Sequence, residues 1–395
     1  MNRSFFAALV GLAMISPLRA EERVVYLVAG VQSHGPGDHE FNAGCDLLEQ
    51  SLAAVDGLEV RVVRNGWPEN DSTFDDADGV IFFADGGGRH PAIQKNRPEI
   101  LDSLVAKGVG IGCMHYGVEV PKGEPQGHFW NWIGGHYEHL YSVNPMWKPN
   151  FTRFPEHPIT RGVKPFALVD EWYFNMRWAP DDAAITPILQ AKPSDDVRDG
   201  PYVWPQGPYP HIVEDGGRLE TMMWALDRPN GGRGFGFTGG HKHVNWWDDN
   251  YRKVVLNAIL WVSGVEVPAT GVESEVSFEQ VATHLDPKNG LTDLLKVGGV
   301  WDLDVSVAGF ESTTTLTVAQ AARNVIGSYD GALGSHPLRG SVSAEKVQFL
   351  VEGDYDGTPF TLVYEGSLTA SGALRGDIRF VDQDYSGTFQ ARRQP

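Results

Sequence analysis

Over residues 24–264, runs of consecutive apolar residues alternate with segments whose apolar residues repeat with the period of a helix. This alternation limits the fold more than any other feature. Runs that are apolar throughout are typical of parallel strands with helices on both faces. We therefore predict an α/β fold with a doubly wound parallel sheet. Asp38 is a candidate N-cap for the first helix. Strands are predicted over 24–29, 58–63, 79–84, 109–113, 166–174, 185–190, 220–226 and 234–239, and helices over 41–54, 98–107 and 246–262.

His115 stands at the end of one of these strands. Residues 108–119 read GVGIGCMHYGVE, a buried strand that continues into a histidine at a tight turn. Ligands of open α/β sheets bind outside the carboxyl ends of the strands. We therefore expect His115 to lie in the functional cleft. An irregular insertion follows over 121–164, and its many aromatic rings suit either core packing or the apolar faces of sugars.

The sequence pattern changes after residue 271. From residue 300 onward, eight short runs of alternating apolar and polar residues are separated by turns that contain glycine. This pattern predicts a small all-β domain, an antiparallel barrel or sandwich, over 300–395. Residues 269–299 are predicted to form a linker, with helix over 277–295. No histidine or cysteine cluster lies in the β domain, so we expect the chemistry in the first domain and a binding or docking role in the second.

The amino terminus predicts export. Residues 1–20 have a positively charged start, an apolar centre and a small residue at the cleavage position, as in a secretory signal peptide. We therefore expect a periplasmic or secreted protein, and no later apolar run is long enough to span a bilayer. The formal net charge of −19 disfavours a nucleic-acid partner, because phosphates would be repelled. The sequence leaves the oligomeric state open.

The chain has two cysteines, Cys45 and Cys113, and two oxidation states are possible for them in an exported protein. They can form one disulfide bond, or they can remain separate buried thiols. We favour the buried thiols, because free cysteine is among the residues most often found in protein cores.

Seven motifs resemble the trehalose-utilisation (ThuA-like) family, whose fold is similar to that of class I glutamine amidotransferases. In chain order they are SHGPGDHE, GGGRHP, GVGIGCMHYGVEVP, WIGGHYE, PEHPITRGVKPF, VDEWYF and FTGGHKHVNWWDDNYRKVVLNAILWVSG, and together they span 24–264. The resemblance assigns a ThuA-like domain with a flavodoxin-like sheet to 22–268. It implies carbohydrate catabolism of the trehalose or keto-sugar type, with a sugar or another small molecule as the ligand.

The relation to the amidotransferase triad excludes a glutaminase. His115 occupies the position of the nucleophilic cysteine at the turn after the strand, and His241 corresponds to the histidine of the triad. Where the triad has its carboxylate, this chain has His243. Cys113 lies two residues before the turn and is expected to point into the sheet, so thiolate attack on glutamine is not available.

Histidines and carboxylates expected near the strand ends form the candidate site. The predicted catalytic residues are His115, His241, Glu119 and Glu171. The predicted substrate-binding residues are His34, His39, His90, Trp132, Glu138, Asp170, Trp172 and Tyr173.

Two chemistries fit this set of residues. A pair formed by histidine and carboxylate can move a proton beside a sugar carbonyl or hydroxyl, since imidazole titrates near neutrality. Alternatively, His39, His115 and His241 can hold a divalent metal such as Zn²⁺ with one open position. No HExxH motif or similar compact metal signature is present. The sequence also permits a non-catalytic carbohydrate-binding module on the same fold, or a scaffold that interacts through its β domain.

Overall fold

The computed structural model describes residues 22–180, 183–290, 293–381, 383 and 385–395. The predicted export signal, residues 1–20, lies outside the described residues. The described chain forms an α/β domain with a mixed, mainly parallel sheet, followed by a closed eight-stranded antiparallel barrel. These observations confirm the predicted fold class and select the barrel over the sandwich.

The α/β domain is built on a seven-stranded sheet. The strands of the domain are β1 (Arg23–Ala29), β2 (Leu58–Val63), β3 (Gly79–Phe83), β4 (Gly110–Met114), β5 (Gly135–His136), β6 (Met146–Trp147), β7 (Asn150–Phe151), β8 (Phe166–Ala167), β9 (Asp170–Glu171), β10 (Arg177–Trp178), β11 (Ala184–Ala191), β12 (Glu220–Asp227) and β13 (Arg233–Phe237). The order in the main sheet is β11-β12-β13-β4-β3-β1-β2. The five strands from β13 to β2 run parallel, whereas β11 and β12 are antiparallel additions at one edge.

Helices cover both faces of this sheet. They are α1 (Phe41–Leu52), α2 (Arg97–Ala106), α3 (Glu124–Trp132), α4 (Asp195–Asp199), α5 (Pro210–Val213) and α6 (Asp249–Val262). Successive strand residues point to opposite faces, so Val25 and Leu27 pack in the core that includes α1 and α6. Tyr26 and Val28 pack in the core that includes α2 and α3. Among the described residues, none of the helices combines the length and apolar character needed to cross a bilayer.

The insertion after β4 is irregular, as predicted, and it pairs with a later segment. Its short strands form two-stranded ladders, β5 with β10, β6 with β9 and β7 with β8. The predicted regular strand over 166–174 is therefore wrong, because this segment forms only β8 and β9, outside the main sheet. The ladder of β6 and β9 fixes the position of Glu171, the last residue of β9.

The carboxyl-terminal domain is a closed barrel. Its strands are β14 (Gly299–Val307), β15 (Phe310–Ala321), β16 (Asn324–Gly331), β17 (Gly334–Val342), β18 (Val347–Tyr355), β19 (Thr358–Leu368), β20 (Leu374–Phe380) and β21 (Ser386–Arg393). Each strand pairs antiparallel with the next, and β21 closes the barrel on β14. The predicted alternation holds on β19, where Phe360, Leu362 and Tyr364 are buried inside.

The linker between the two domains contains a shorter helix than predicted. Only α7 (Phe278–Ala282) forms, and Ser277 caps it in a capping box with Gln280. The predicted helix over 277–295 ends early because His284 adopts a left-handed φ of 56° and Pro287 has no backbone N–H to donate.

The reactivity of the two cysteines toward an alkylating reagent tests whether they are buried and free. Cys45 and Cys113 are free and fully buried, which confirms the buried thiols. Burial raises the pKa of both thiols, so little reactive thiolate forms. Native protein should resist iodoacetamide, whereas protein unfolded in guanidinium chloride without reductant should gain two alkyl groups, measured by intact mass. An unfolded chain that is alkylated only after reduction would instead contain a disulfide.

Candidate metal centre

Three histidines and one glutamate converge at the carboxyl edge of the parallel strands. His39 lies in the loop between β1 and α1, and His115 directly follows β4. Glu171 ends β9, and His241 lies in the loop after β13. One donor atom from each side chain lies within 4.8 Å of the donor atoms of the other three. All four residues are buried.

The donor atoms surround one small volume. His39 Nε2 is 2.9 Å from His115 Nε2 and 3.1 Å from His241 Nδ1. The latter two nitrogens are 3.3 Å apart. Glu171 Oε2 is 2.5 Å from His241 Nδ1 and 3.9 Å from His115 Nε2.

Two of these histidines have left-handed backbone conformations. The φ angle is 49° at His39 and 54° at His115. Residues other than glycine rarely adopt positive φ, and such strain is concentrated at functional sites. The neighbouring loop approaches closely at Gly240, where φ is 117° and an added Cβ would lie 3.2 Å from the Cβ of His115. Backbone geometry thus brings the rings together.

Hydrogen bonds on the outer side of the rings fix the tautomers of His39 and His115. His39 Nδ1 donates to Asp85 Oδ1 at 2.9 Å, and His115 Nδ1 donates to the Thr238 carbonyl oxygen at 3.0 Å. A carbonyl oxygen only accepts, and a neutral imidazole has one N–H. The two Nε2 atoms therefore present lone pairs to each other across 2.9 Å. Facing lone pairs repel each other, and a cation bound by both nitrogens would remove that repulsion.

His241 lies between two carboxylates. Its Nδ1 contacts Glu171, and its Nε2 is 3.7 Å from Asp38 Oδ2. Burial alone would lower the pKa of His241, but Asp38 and Glu171 outweigh burial and raise it to about 9. Burial lowers the pKa of His39, and it lowers that of His115 to about 4. Without a metal, the cluster thus holds positive charge on His241.

The donor set fits a divalent cation. Zinc–nitrogen bonds of about 2.0–2.1 Å in a tetrahedron place the ligand nitrogens about 3.3 Å apart. The three nitrogen–nitrogen distances, 2.9, 3.1 and 3.3 Å, are close to that value. Imidazole and carboxylate groups are ligands that zinc and related transition metals prefer. Carboxylate and carbonyl acceptors, such as Asp85 and Thr238, are the usual outer partners of metal-bound imidazoles.

Glu119 provides a protonatable carboxyl group whose pKa depends on the charge of Glu171. It follows the short helical turn His115–Val118, and its carbonyl oxygen accepts from the Gly87 N–H at 2.9 Å. Burial, together with the charge of Glu171, raises the pKa of Glu119 to about 7. A carboxyl group with this pKa can give or take a proton near neutral pH.

Two of the predicted substrate-binding residues also border the cluster. The Tyr173 hydroxyl is 3.2 Å from His115 Nε2, and burial raises the pKa of Tyr173 well above its usual range. This hydroxyl therefore stays protonated and available to donate. The His34 ring stacks on His39 with ring centroids 3.5 Å apart, and the His34 side chain is 42% exposed. His34 thus forms the solvent side of the site.

Asp170 holds the loop that contains His241. Its carboxylate accepts from the backbone N–H groups of Gly240 at 3.0 Å and Lys242 at 3.1 Å. It also accepts from the Tyr251 hydroxyl at 2.7 Å. Asp170 therefore positions the loop that contains His241, and both of its carboxylate oxygens already accept hydrogen bonds.

Four other predicted substrate-binding residues have the burial and the contacts that are typical of structural residues. The ring of His90 is fully buried and bonds only backbone groups. Trp132 and Trp172 are fully buried in the two cores of the α/β domain. The carboxylate of Glu138 pairs with Arg177. Substrate contact by these four residues stays a prediction without support from the geometry.

Two carboxylates beside the cluster, Asp38 and Asp85, were missed by the sequence reasoning. Asp85 stands two residues after β3, so the strand-end rule that selects His115 could have found it. Asp38 was predicted to cap α1, but the N-cap is Glu40. No pattern along the chain signals the contact between Asp38 and His241.

Replacing Glu119 with glutamine should change how stability depends on pH. The pKa of about 7 in the folded protein exceeds the ordinary value of 4.5, so the folded state binds this proton more tightly. Wild-type protein therefore loses stability as the pH rises from 4.5 through 7, and Glu119→Gln removes that loss. In urea unfolding with EDTA, the variant should gain about 2–3 kcal/mol relative to wild type between pH 5 and pH 8.5.

The matched control is Glu345→Gln, which changes an exposed glutamate in a turn of the barrel. This variant should follow the wild-type pH dependence. Parallel stability curves for Glu119→Gln and wild type would show that the Glu119 carboxyl group titrates as an ordinary glutamate.

Two solved structures are similar to parts of this chain. A crystal structure of a ThuA-like protein from Bacteroides uniformis ATCC 8492 is similar with 14% identity and a TM-score of 0.43, covering 63% of this chain and 95% of that chain. A redesigned β-barrel is similar with 13% identity and a TM-score of 0.22, covering 25% of this chain and 91% of that chain. No curated protein matches the chain. The profile of the ThuA family, described as trehalose utilisation, matches residues 27–262, which is more than half of the chain, and the protein therefore belongs to the ThuA family.

Proposed function

We propose that this protein is an exported enzyme of carbohydrate catabolism that uses a divalent metal ion bound by His39, His115, His241 and Glu171. Membership of the ThuA family supports a substrate of the trehalose or keto-sugar type. The signal-like amino terminus supports export to the periplasm or the medium. The converging donor atoms support the metal ion.

The facing lone pairs of His39 and His115 are the observation on which the metal assignment rests. Protonation of either Nε2 would require a doubly protonated ring, and burial lowers the pKa of both rings. His39 and His115 would each bind a metal ion through Nε2 without gaining a proton. Both rings would keep their outer hydrogen bonds to Asp85 and Thr238.

The site suits proton transfer next to a sugar oxygen. A bound divalent ion supplies Lewis-acid polarisation of a carbonyl or hydroxyl oxygen. The Glu119 carboxylate accepts the proton from a carbon beside a sugar carbonyl, while the bonding electrons move toward the carbonyl oxygen. The Tyr173 O–H donates a hydrogen bond that stabilises negative charge on such an oxygen. His34, which is partly exposed, marks the side from which a ligand enters.

Removing one ligand tests the metal centre. Zinc affinity of His115→Ala should fall by more than about 100-fold, since one of three imidazole ligands is lost. Metal content after dialysis and competition with a chelator measure this change. His128→Ala is the matched control, because His128 also pairs with a carboxylate, Asp102, but lies outside the cluster. Equal zinc affinities of the two variants, or wild-type protein that binds no divalent metal, would overturn the assignment.

Replacing the proton-transfer group separates an enzyme from a binding protein. Metal-loaded wild type is assayed for turnover with a panel of disaccharides and their keto forms. Glu119→Gln should lower kcat by about 100-fold to 10,000-fold while its zinc content is unchanged. Sugar binding by wild type without turnover, measured by titration calorimetry, would instead support a non-catalytic carbohydrate-binding module.

A further inference from the structure

The loop that contains His39 is held from outside the α/β domain. This loop, residues 33–40, is the site loop. Lys288 of the linker contacts its backbone, and the turn 321–324 between β15 and β16 of the barrel contacts its side chains. The barrel and the linker therefore both reach the neighbourhood of the candidate metal centre.

Barrel residues hold the carboxylate of Asp38. Arg323 Nη2 is 2.5 Å from Asp38 Oδ2, and Asn324 Nδ2 donates to Oδ1 at 3.0 Å. Lys242 Nζ is 3.5 Å from the same Oδ1. The Asp38 carboxylate is thus fixed with its Oδ2 3.7 Å from the outer Nε2 of His241.

The linker holds the backbone of the site loop. Lys288 is only 6% exposed, and its Nζ donates to the carbonyl oxygen of Asp38 and to that of His39 at 3.3 Å. Its charge is paired with Glu40 Oε1 at 3.1 Å. The Asp286 N–H donates to the second oxygen of Glu40 at 2.7 Å. These contacts fix the peptide groups on both sides of His39.

Close packing at Gly37 leaves the site loop little freedom. An added Cβ at Gly37 would lie 2.7 Å from the Ala321 carbonyl oxygen and 2.8 Å from Asn324 Nδ2. On the other side, the Gly37 carbonyl oxygen accepts from the His243 N–H at 2.9 Å. The site loop therefore lies between the barrel turn and the loop that contains His241.

We infer that Arg323 and Asn324 of the barrel are positioning residues for the metal centre, which is therefore assembled from both domains. They fix Asp38, and Asp38 Oδ2 lies at ion-pair distance, 3.7 Å, from the outer Nε2 of His241, whose Nδ1 faces the cluster. Outer acceptors of this kind set the orientation and basicity of metal-bound imidazoles. The inference rests on the proposed function, and it replaces the sequence-based expectation that the first domain contains the chemistry alone.

The test compares three variants of the full-length chain. Arg323→Ala/Asn324→Ala removes both barrel contacts to Asp38, and Arg323→Lys retains the positive charge. Lys346→Ala is the matched control, because it removes an exposed barrel ion pair with Glu365. Zinc affinity is measured by competition with a chelator, global stability by the urea midpoint, and the mobility of the site loop by amide hydrogen exchange in metal-free protein.

The double variant should bind zinc about 10-fold to 100-fold more weakly than wild type, because Asp38, the outer partner of His241, would lose the two barrel contacts that fix it. Arg323→Lys should stay close to wild type, and the urea midpoint of the double variant should match that of Lys346→Ala. The His39 N–H donates to the His241 carbonyl oxygen, and the His243 N–H donates to the Gly37 carbonyl oxygen. Hydrogen exchange of these two amides should become faster in the double variant alone.

Wild-type zinc affinity in the double variant, or a urea midpoint that falls together with the affinity, would overturn the positioning role. Wild-type protein that binds no divalent metal would overturn the proposed function separately. If no metal binds, hydrogen exchange of the site-loop amides still tests whether both domains assemble the site. Faster exchange in the site loop of the double variant supports assembly of the site from both domains, and unchanged exchange excludes it.

Discussion

The contact between two imidazole nitrogens, Nε2 of His39 and Nε2 of His115, is the constraint on which the site depends. Each ring directs its one N–H outward, to Asp85 in one case and to the Thr238 carbonyl oxygen in the other. Burial opposes a second proton on either ring, so the proposed function places a divalent metal ion between them. The remaining groups of the cluster would supply that ion with a third nitrogen and a carboxylate oxygen.

The sheet explains why residues far apart in sequence meet at this contact. Strands β1, β3, β4 and β13 are parallel neighbours, so the loops after them leave the same edge. At the turn after β4, His115 adopts a φ of 54°. Its Nδ1 bonds the Thr238 carbonyl oxygen, so its Nε2 is directed toward His39. The thiol of Cys113, by contrast, is buried within the strand.

The sequence predicts the sheet and the histidines at its edge because strand ends are visible as local patterns. His115 and His241 could be named for that reason. The irregular segments gave poorer predictions, since apolar rings such as Trp132 and Trp172 look alike in a core and in a sugar site. Tertiary pairings could not be predicted at all. The partner of Asp38 in the barrel, Arg323, lies 285 residues away, and no periodicity records such a contact.

In the proposed function, metal binding and the protonation state of Glu119 would be linked through Glu171. Burial is the larger cause that raises the pKa of Glu119, and the negative charge of Glu171 raises it further. A divalent cation bound to Glu171 would oppose the effect of that charge and favour the ionised form of Glu119. By reciprocity, ionisation of Glu119 favours binding of the cation. In the proposed function, the base is therefore generated where and when the polarising ion is present. Proton transfer and metal binding, which the sequence left as alternatives, are then two parts of one site.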